Sequence, residues 1–561
     1  MGDNQEPAAA EPAAAEPAAL APFRHGIFRS IWITTLTSSC GGMIQGVGAA
    51  WMMVALAAPA QMVTLVQASI TLPIVLLALV AGALADAFDR RKLMIIAQMG
   101  MFVASVTLAA LAYLGLITPW LLLLFTFLIG CGAALNAPAW QASVSAMVPR
   151  EDVPPAVALN SMGFNLARSV GPAIGGFIVA IAGVVSAFVV NALSYVGLIF
   201  VLARWRPEPE RRLLPRERLG SAIQAGIRYV AMSPSINSTL LRGFVTGTGA
   251  SAASALSPLI ARDMIGGGPE TYGLLLGAFA VGAVGGAFWS HRLRVAYSNE
   301  LIVRCALLSS ALGIAISALS SWLLLSMAAM VLCGLGWVLV VSILNATVQM
   351  ASPRWVVARA LSLYQMATFS GMTGGAWLWG YVTERSGLTT ALLIGASVQF
   401  GCILLGRWFH LPETEDMNLD LPGFREPETA VRVLGRTGPV VVTIEYRIAE
   451  KDVLAFFSVM AERRLIRLRN GARRWTLLRD LADRELWIER YHSPTWTEYV
   501  RHNWRFTEDD AAVGERIKAL HMGPGDPPVR RMIERHTGYS PDPAGPDPRE
   551  WAPITDPSRQ P

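Results

Sequence analysis

Charged side chains are scarce in this sequence, and long stretches of it carry almost none. They make up 15% of the 561 residues, whereas hydrophobic residues make up 53%. Soluble proteins have about 25% charged residues, and a single water-soluble core stops growing near roughly 250–300 residues. The composition therefore argues against a water-soluble globular protein and favours a lipid bilayer as the surrounding solvent.

Cysteine is also sparse, and its five copies are widely spaced within apolar runs. No two of them form a close CxxC pair, which argues against a disulfide framework or a metal site. We predict no metal, no cofactor and no catalytic residue. The net charge is +6, but basic residues of membrane proteins concentrate in cytoplasmic loops. The predicted partners are therefore a small-molecule substrate and the bilayer, not nucleic acid.

The charge that is present concentrates at the C-terminal end, which divides the chain into a membrane part and a soluble part. Repeats of Glu-Pro-Ala-Ala-Ala at the N-terminus are typical of a disordered tail. The predicted organisation is a Pro/Ala-rich tail (1–22), an N-terminal six-helix half (23–203), a cytoplasmic connection (204–235), a C-terminal six-helix half (236–410), a linker (411–437), a soluble α+β domain (438–540) and a disordered tail (541–561).

Twelve apolar windows have the length of about 20 residues that a membrane-spanning helix needs. They cover residues 28–57, 62–84, 92–115, 119–147, 155–180, 184–203, 236–262, 271–292, 300–317, 321–348, 356–382 and 387–408. Between the two sets, residues 216–229 form an amphipathic pattern that predicts a helix lying on the membrane surface.

The loops between these windows alternate in charge. One set contains Arg90, Arg91, Lys92 and Arg150, whereas the alternate loops are short and nearly uncharged. Because cytoplasmic loops carry the positive excess, this pattern predicts that both termini are cytoplasmic.

The two sets of windows are related by an internal repeat. A constant offset of 204 residues superposes Gly82 on Gly286, Gly171 on Gly375, and the pair 149–150 on the pair 353–354. The same offset at separate loop and helix positions is difficult to attribute to chance. Two six-helix halves related by a parallel repeat are typical of transporters.

The loop after the second window carries the first motif, which runs from Gly82 through Asp86 and Asp89 to Arg90 and Arg91. It resembles the loop signature of the major facilitator superfamily, Gly-x-x-x-Asp-basic-x-Gly-basic-basic, with alanine and Asp89 in place of a basic residue and a glycine. A carboxylate beside a basic cluster at a helix end can form contacts that differ between two states. The resemblance implies that Asp86, Arg90 and Arg91 take part in gating.

The fifth window carries the second motif, which resembles the Gly-x-x-x-Gly-Pro-x-x-Gly-Gly signature of exporters in that superfamily. Its helix-packing residues are Gly171, Pro172, Gly175 and Gly176. Residues 23–410 resemble the bacterial branch that includes the enterobactin exporters and the transmembrane secretion effectors. This resemblance implies an all-α membrane protein with the twelve-helix major facilitator fold, in the bacterial inner membrane. It further implies proton-coupled export of small amphipathic molecules, such as siderophores or drugs, by alternating access.

Arg168 is the one charge that the sequence places deep in a span. It lies about 20 Å along the helix from Pro155, inside an apolar layer of about 30 Å. A charge at that depth is costly and usually faces a cavity or a partner. Two interpretations stay open: contact with an anionic substrate or a gating ion pair, or a structural pair or snorkelling side chain.

Other polar residues inside the spans form a candidate transport cavity, because polar groups near the midplane of facing helices build transporter sites. Each of them could instead make an ordinary hydrogen bond between helices. With Arg168, the cavity candidates are Gln45, Gln67, Asn136, Trp140, Gln141, Asn160, Asn165, Asn345, Gln349, Tyr364 and Gln365.

The soluble part has the order βαββα followed by a tail, which predicts a small ferredoxin-like α+β domain. The pattern resembles the antibiotic-biosynthesis-monooxygenase-like domains, and that resemblance implies dimerisation through this domain. We predict that the arginines between 463 and 474 form a solvated face or, alternatively, contact anionic lipid beneath the transporter. We also predict that His502 lies on the surface of a helix. The alternative function is a membrane-tethered enzyme or sensor that acts through this domain.

Overall fold

The computed structural model describes residues 20–144, 147–205, 219–353, 355–411, 426–431 and 433–534. Within these ranges it contains a bundle of twelve long helices, a short helix between the two halves of the bundle, and a small α+β unit after it. Residues 1–19 of the predicted N-terminal tail, the whole predicted C-terminal tail and most of the predicted linker lie outside the described residues. The described chain begins with a single helical turn, Ala21–Arg24, in which Ala21 and Pro22 are buried.

The helices of the N-terminal half are α1 (Gly26–Ala55), α2 (Ala60–Ala87), α3 (Arg90–Tyr113), α4 (Pro119–Val144), α5 (Val153–Ala182) and α6 (Val184–Arg204). The short helix α7 (Leu219–Ala231) follows. The C-terminal half contains α8 (Pro234–Leu259), α9 (Pro269–Ala296), α10 (Asn299–Leu319), α11 (Leu323–Met350), α12 (Val357–Ser386) and α13 (Leu388–Leu405). Each predicted span corresponds to one long helix, and this confirms the twelve-helix fold.

Ten of these helices are long and apolar enough, within the described residues, to cross a bilayer by length and composition. The two others, α1 and α12, have 30 residues each, and about a third of the residues in each are Gly, Ser or Thr. Both pack against neighbouring helices of the bundle, α1 against α5 and α6, and α12 against α2 and α8. Small residues let helix backbones approach closely, so the lower hydropathy of these two helices fits an internal position.

The internal repeat is visible in the helix boundaries. Helix α12 begins and ends 204 residues after α5. The glycines that follow them, Gly183 and Gly387, both have positive φ angles, +77° and +86°. A positive φ is readily adopted by glycine but not by side-chain-bearing residues, so both copies use glycine for the same sharp turn. The two halves are therefore two copies of one six-helix unit.

The halves touch each other on one side of the bundle. We call the side on which α1 begins, and on which the loop with Arg90 and the α+β unit lie, the basic side, and we call the other the opposite side. A core cluster on the opposite side joins both halves, with Val54 and Val63 from one and Leu256 and Trp379 from the other. On the basic side, one cluster belongs to the N-terminal half and a separate one to the C-terminal half with α7. The bundle is therefore closed on the opposite side and divided on the basic side.

The α+β unit has four strands and three helices. They are β1 (Val440–Arg447), α14 (Val453–Asn470), β2 (Arg473–Arg479), β3 (Leu486–Ser493), α15 (Trp496–Trp504), α16 (Glu508–Leu520) and β4 (Val529–Ile533). The sheet is antiparallel with the strand order β2-β3-β1-β4. This is the strand order of a ferredoxin-like sandwich, as the sequence predicts. The sequence pattern did not reveal β4, because this strand is short, exposed and rich in arginine.

The α+β unit packs onto the C-terminal half through two stacked arginines. The guanidinium of Arg469 lies 5.0 Å from the ring of Tyr229 on α7, and that of Arg505 lies 4.4 Å from the ring of Trp355. The two rings make an edge-to-face contact at 5.4 Å. The backbone carbonyl of Arg469 also accepts a hydrogen bond from Arg228 at 3.5 Å. Helix α7 therefore lies between the bundle and the soluble unit.

Substitution of Trp355 by leucine should release the α+β unit from the bundle. The change removes the stacking partner of Arg505 and the edge contact with Tyr229, and each contact of this kind contributes about 0.5–2 kcal/mol. We expect limited proteolysis of the solubilised chain to separate the unit from the bundle about tenfold faster. Leucine at Trp377, an exposed tryptophan that stacks on Tyr381 within α12, is the control. Equal cleavage rates for the two variants would contradict the docking role of Trp355.

Candidate functional site

The cleft between the halves opens on the basic side, and the predicted cavity residues distribute unequally around it. Gln45 is 3% exposed, and its Oε1 accepts a hydrogen bond from Asn191 at 2.8 Å. Asn191 also donates to Ser105 at 3.1 Å. This network joins α1, α3 and α6 inside the N-terminal half, so Gln45 lies within one half and away from the cleft. Asn191 and Ser105 were not predicted, because single polar residues in apolar runs carry no spacing signal.

A second set of predicted residues connects α4 and α5. Trp140 donates from Nε1 to Oδ1 of Asn160 at 2.7 Å. Asn136 lies one turn before Trp140, and its buried Oδ1 has no hydrogen-bond partner among the described residues. Gln141 is exposed. The side chain of Asn165 lies outside the described residues.

The predicted residues of the C-terminal half lie on α11 and α12. Tyr364 is buried, and its hydroxyl donates to the carbonyl of Val341 at 3.4 Å. Asn345 is half-buried, whereas Gln349 and Gln365 are exposed. The structure thus brings exposed amide groups to the basic ends of these two helices. On α2, the remaining candidate Gln67 is half-buried.

Arg168 lies on the face of α5 that turns toward the other half. Residues four and eight positions further, Pro172 and Gly176, share its stripe of the helix and contact Gly273 on α9. Arg168 therefore lies on the basic side of the level at which α5 and α9 touch. It is half-buried, and the described residues provide no hydrogen bond or ion pair for its guanidinium. A cation in this position can bind an anionic group that enters the cleft.

The arginines of the first motif bind helix ends of their own half. Arg91 donates to the carbonyls of Leu202 and Ala203, at 2.8 and 2.6 Å, where α6 ends. Arg90 donates to the carbonyl of Ala142 near the end of α4 at 3.1 Å. Cations stabilise the unsatisfied carbonyls at helix C-termini. The loop thus ties three helices of the N-terminal half together in this conformer.

The first motif also contains two acidic residues, Asp86 and Asp89. Asp89 caps α3, where its side chain accepts from the backbone of Lys92 at 3.3 Å. This cap accounts for an aspartate at a position that is a glycine in the superfamily signature. The side chain of Asp86 lies outside the described residues.

The glycines of the second motif serve two different interfaces. A Cβ atom at Gly171 or Gly175 would crowd α1 of the same half, at 2.7 Å from Met43 and 3.0 Å from Ile44. A Cβ atom at Gly176 would instead lie 2.6 Å from the Cα atom of Gly273 on α9. Gly176 is therefore the member of the motif that allows the halves to touch. Its copy in the repeat, Gly380 on α12, likewise packs on α2.

An ion pair inside the C-terminal half was not predicted. Arg242 on α8 is 1% exposed, and its Nη1 lies 2.6 Å from Oε2 of Glu300 at the start of α10. Glu300 also pairs with Arg304 at 2.9 Å, and Arg242 donates to the carbonyl of Phe409 at 3.4 Å. The pair fixes the end of the bundle from which the chain continues to the soluble domain. Charges near the ends of two windows were its only signal in the sequence.

The soluble domain contains a buried charge cluster, and this corrects two predictions. Arg467 lies in the core rather than on a solvated face, and His502 is 1% exposed rather than on the surface. Glu489 accepts hydrogen bonds from Arg467, Tyr446 and Trp475 at 3.2, 2.8 and 3.0 Å. Arg467 also donates to His502 at 3.3 Å. The 3.6-residue helical pattern could not separate a buried arginine with a carboxylate partner from an exposed one.

The charges of this cluster determine its protonation. Burial alone would raise the pKa of the Glu489 carboxyl, but the cations of Arg467 and Arg463 hold this pKa below its ordinary value. Burial and the Arg467 cation lower the pKa of His502 well below its ordinary value, so the imidazole is neutral near pH 7. The cluster therefore contains an ionised carboxylate between two cations and a neutral histidine.

Alanine at Glu489 should destabilise the soluble domain by about 3–5 kcal/mol, because it leaves the buried Arg467 and the largely buried Arg463 without their counter-charge. Amide hydrogen exchange of β1 and β3 in the full chain would measure the loss. Since the folded pKa of Glu489 is lowered, this stabilisation is complete above the ordinary carboxyl pKa of about 4.3 and disappears as the pH falls through the folded value. Alanine at Glu462, an exposed partner of Arg516, should cost less than about 1 kcal/mol. Similar losses for both variants would contradict this assignment.

In the part of the chain that the structure describes, no group of three or more His, Cys, Asp or Glu side chains is placed to hold a metal ion.

Comparison with known proteins gives three consistent results. The profile of the family described as transmembrane secretion effector matches residues 17–538, which include the soluble domain. The enterobactin exporter EntS of Shigella boydii serotype 18 is 28% identical over 337 residues, covering 58% of this chain and 77% of that protein. EntS of Escherichia coli O139:H28 is 27% identical over the same length and the same shares of the two chains.

Solved transporter structures share the fold. A mutant form of the nucleoside transporter NupG superposes with a TM-score of 0.58 at 13% identity, covering 68% of this chain and 100% of that one. A bacterial homologue of the human lysosomal transporter Spinster, in an inward-facing and unoccupied conformation, has a TM-score of 0.53 at 13% identity over 69% and 95%. These likenesses show the fold, and the family match, with the repeat and the divided bundle, establishes a multi-pass membrane transporter. The chain belongs to the transmembrane secretion effector family of the major facilitator superfamily.

Proposed function

We propose that this transporter exports small amphipathic molecules from the bacterial cytoplasm, by alternating access and driven by the proton gradient. The observation that carries the proposal is the cleft, which is open on the basic side and has Arg168 at its edge, where no described residue pairs with its guanidinium. Since cytoplasmic loops carry the positive excess, the basic side is the cytoplasmic side and both termini are cytoplasmic. The cleft would then receive its substrate from the cytoplasm.

The second motif and the relatives support export as the direction. Gly171, Pro172, Gly175 and Gly176 match the exporter signature in the helix that carries Arg168. The curated relatives are named for the export of enterobactin. Exposed amides on α11 and α12 and a cation on α5 suit a substrate that is largely uncharged but carries an anionic group. Siderophores and amphipathic drugs both fall in this class.

The transport proposal is tested by metabolite profiling and by flux. A deletion strain should accumulate an amphipathic organic anion inside the cell and lose it from the medium. Everted membrane vesicles should take up that compound only when a proton gradient is present. Unchanged pools, unchanged drug tolerance and no uptake would together remove the proposal.

The soluble domain resembles antibiotic-biosynthesis-monooxygenase-like domains, and this resemblance leads to two further expectations that experiments can test. A membrane-tethered enzyme or sensor predicts turnover or binding of haem or quinol by the purified chain, and neither would depend on a proton gradient. Dimerisation through the soluble domain predicts crosslinks between its copies in native membranes. Neither outcome is needed for export.

A further inference from the structure

The first turn of α2 receives a hydrogen-bond acceptor from the other half of the transporter. The backbone N–H of Gln61 donates to Oε1 of Glu384 on α12 at 2.9 Å. Helix α2 begins at Ala60, and its own N-cap residue, Pro59, has no side chain that could accept this bond. The first N–H groups of a helix lack partners within the helix and carry a partial positive charge. The Glu384 carboxylate therefore caps a helix of the other half, which is distant from it in the sequence.

This contact belongs to the seam between α2 and α12 on the opposite side. One turn along α12, Gly380 packs against the backbone of Gln61. Two turns further, the hydroxyl groups of Thr373 and Thr71 lie 2.7 Å apart. Three levels of contact thus hold α2 and α12 together, and Glu384 lies at the outermost of them.

The repeat shows that Glu384 is an addition to this seam. The related seam between α5 and α9 has Gly176 in the position of Gly380. An offset of 204 residues places Ala180 where α12 has Glu384. Alanine cannot accept a hydrogen bond through its side chain, so the carboxylate cap is confined to one seam. Packing that both copies share does not account for it.

We propose that Glu384 is a latch of the opposite side, which holds the transporter in the conformer that is open on the basic side. The contact joins the two halves, so it must break when the cleft opens on the opposite side. An interaction that is present in only one of two conformers shifts the equilibrium between them. The latch rests on the proposed alternating access, but its test needs no substrate.

The expected strength follows from the chemistry and the exposure of the pair. A carboxylate that accepts from an N–H at a helix N-terminus forms a charge-assisted bond. Glu384 is exposed, and water weakens such a bond relative to a buried one. Loss of the cap should therefore change the ratio of the two conformers by about tenfold. The latch biases the equilibrium and does not lock it.

The test measures the distance between the halves on the opposite side. The full chain, with its five native cysteines replaced by alanine, would carry spin labels at Thr118 and Ser321, exposed positions in the loops α3–α4 and α10–α11. Pulsed electron paramagnetic resonance in lipid nanodiscs then measures the populations of short and long distances between the two labels. Glu384→Ala should raise the ratio of long to short about tenfold, and Glu384→Gln, which retains an acceptor without the charge, should raise it less.

Glu270→Ala is the matched control of Glu384→Ala. Its carboxylate also accepts a backbone N–H at a helix start on the opposite side, from Gly268 at 3.1 Å, but both residues belong to the same half. This variant should leave the ratio unchanged. An unchanged ratio in Glu384→Ala, or an equal rise in Glu270→Ala, would overturn the latch. If the spin-label distances change as expected but no substrate flux is found, the export proposal alone would be overturned. If flux is found but the distances do not change in Glu384→Ala, the latch alone would be overturned.

Discussion

Leucine at Gly176 is expected to reduce transport at least about tenfold while the protein still folds and inserts. The backbone atoms of Gly273 and Pro269 lie 2.6 and 2.8 Å from the place that a Cβ atom would occupy. Backbone atoms of two long helices cannot move aside as a flexible side chain can, so the halves would have to separate at this level. Separation at this level opens the opposite side. The transporter could then no longer reach the conformer that is open on the basic side.

The measurement is efflux of the identified substrate, or of an amphipathic dye, from cells that express each variant at equal levels. Leucine at Gly380, the repeat-related position, should have the same effect, because it packs on the backbone of Gln61. Leucine at Gly285 on α9 is the control, since open space surrounds this glycine. If the variants at Gly176 and Gly285 transported equally, the closed seam would not be part of the transport cycle.

The helices and their repeat could be predicted because the bilayer imposes their pattern directly on the sequence. A span of about 20 apolar residues is required by the thickness of the membrane, and an offset of 204 residues is visible in glycine and proline alone. The ferredoxin-like fold of the soluble domain was predicted from the βαββα order of its elements. Strand β4 was not predicted, because an exposed edge strand has no buried face to create a pattern.

The contacts of the site were less predictable because their partners lie far away in the sequence or are backbone atoms. Gln45 is a polar residue inside an apolar span, as expected of a cavity residue. In the structure, however, it forms a hydrogen bond with Asn191 within its own half. Glu384 has a backbone N–H as its partner, and no residue type at position 61 could have indicated this. Arg467 looked exposed because arginine usually is, and its carboxylate partner is 22 positions away.

Differences between the two copies of the repeat mark the candidate functional residues more sharply than their shared features. Shared glycines, Gly176 and Gly380, form the seams that any such transporter needs in order to close. Arg168 corresponds to Met372, and Glu384 corresponds to Ala180, under the same offset. A charge present in one copy only is not required by the architecture, so it is available for a substrate or for gating.

Methionine at Arg168 distinguishes the two interpretations of this residue, because they predict opposite combinations of stability and transport. Methionine is the residue of the repeat-related position and keeps a long, unbranched side chain. If Arg168 binds an anionic group of the substrate, this variant should lose at least about tenfold in flux of anionic compounds, with flux of neutral ones maintained. Lysine at this position should retain part of the flux, because it keeps the charge without the forked geometry.

The two interpretations also predict different stabilities for the methionine variant. A charge within a membrane helix costs at least about 2.5–3.5 kcal/mol, and the described residues offer the guanidinium no counter-charge. Its removal should therefore raise the thermal unfolding temperature of the purified chain. A structural role predicts the reverse, a lower unfolding temperature with equal losses for anionic and neutral substrates. A more stable protein with lower flux is the outcome expected of a residue retained for function at a cost in stability, and it would place the anion-binding point of the cleft at α5.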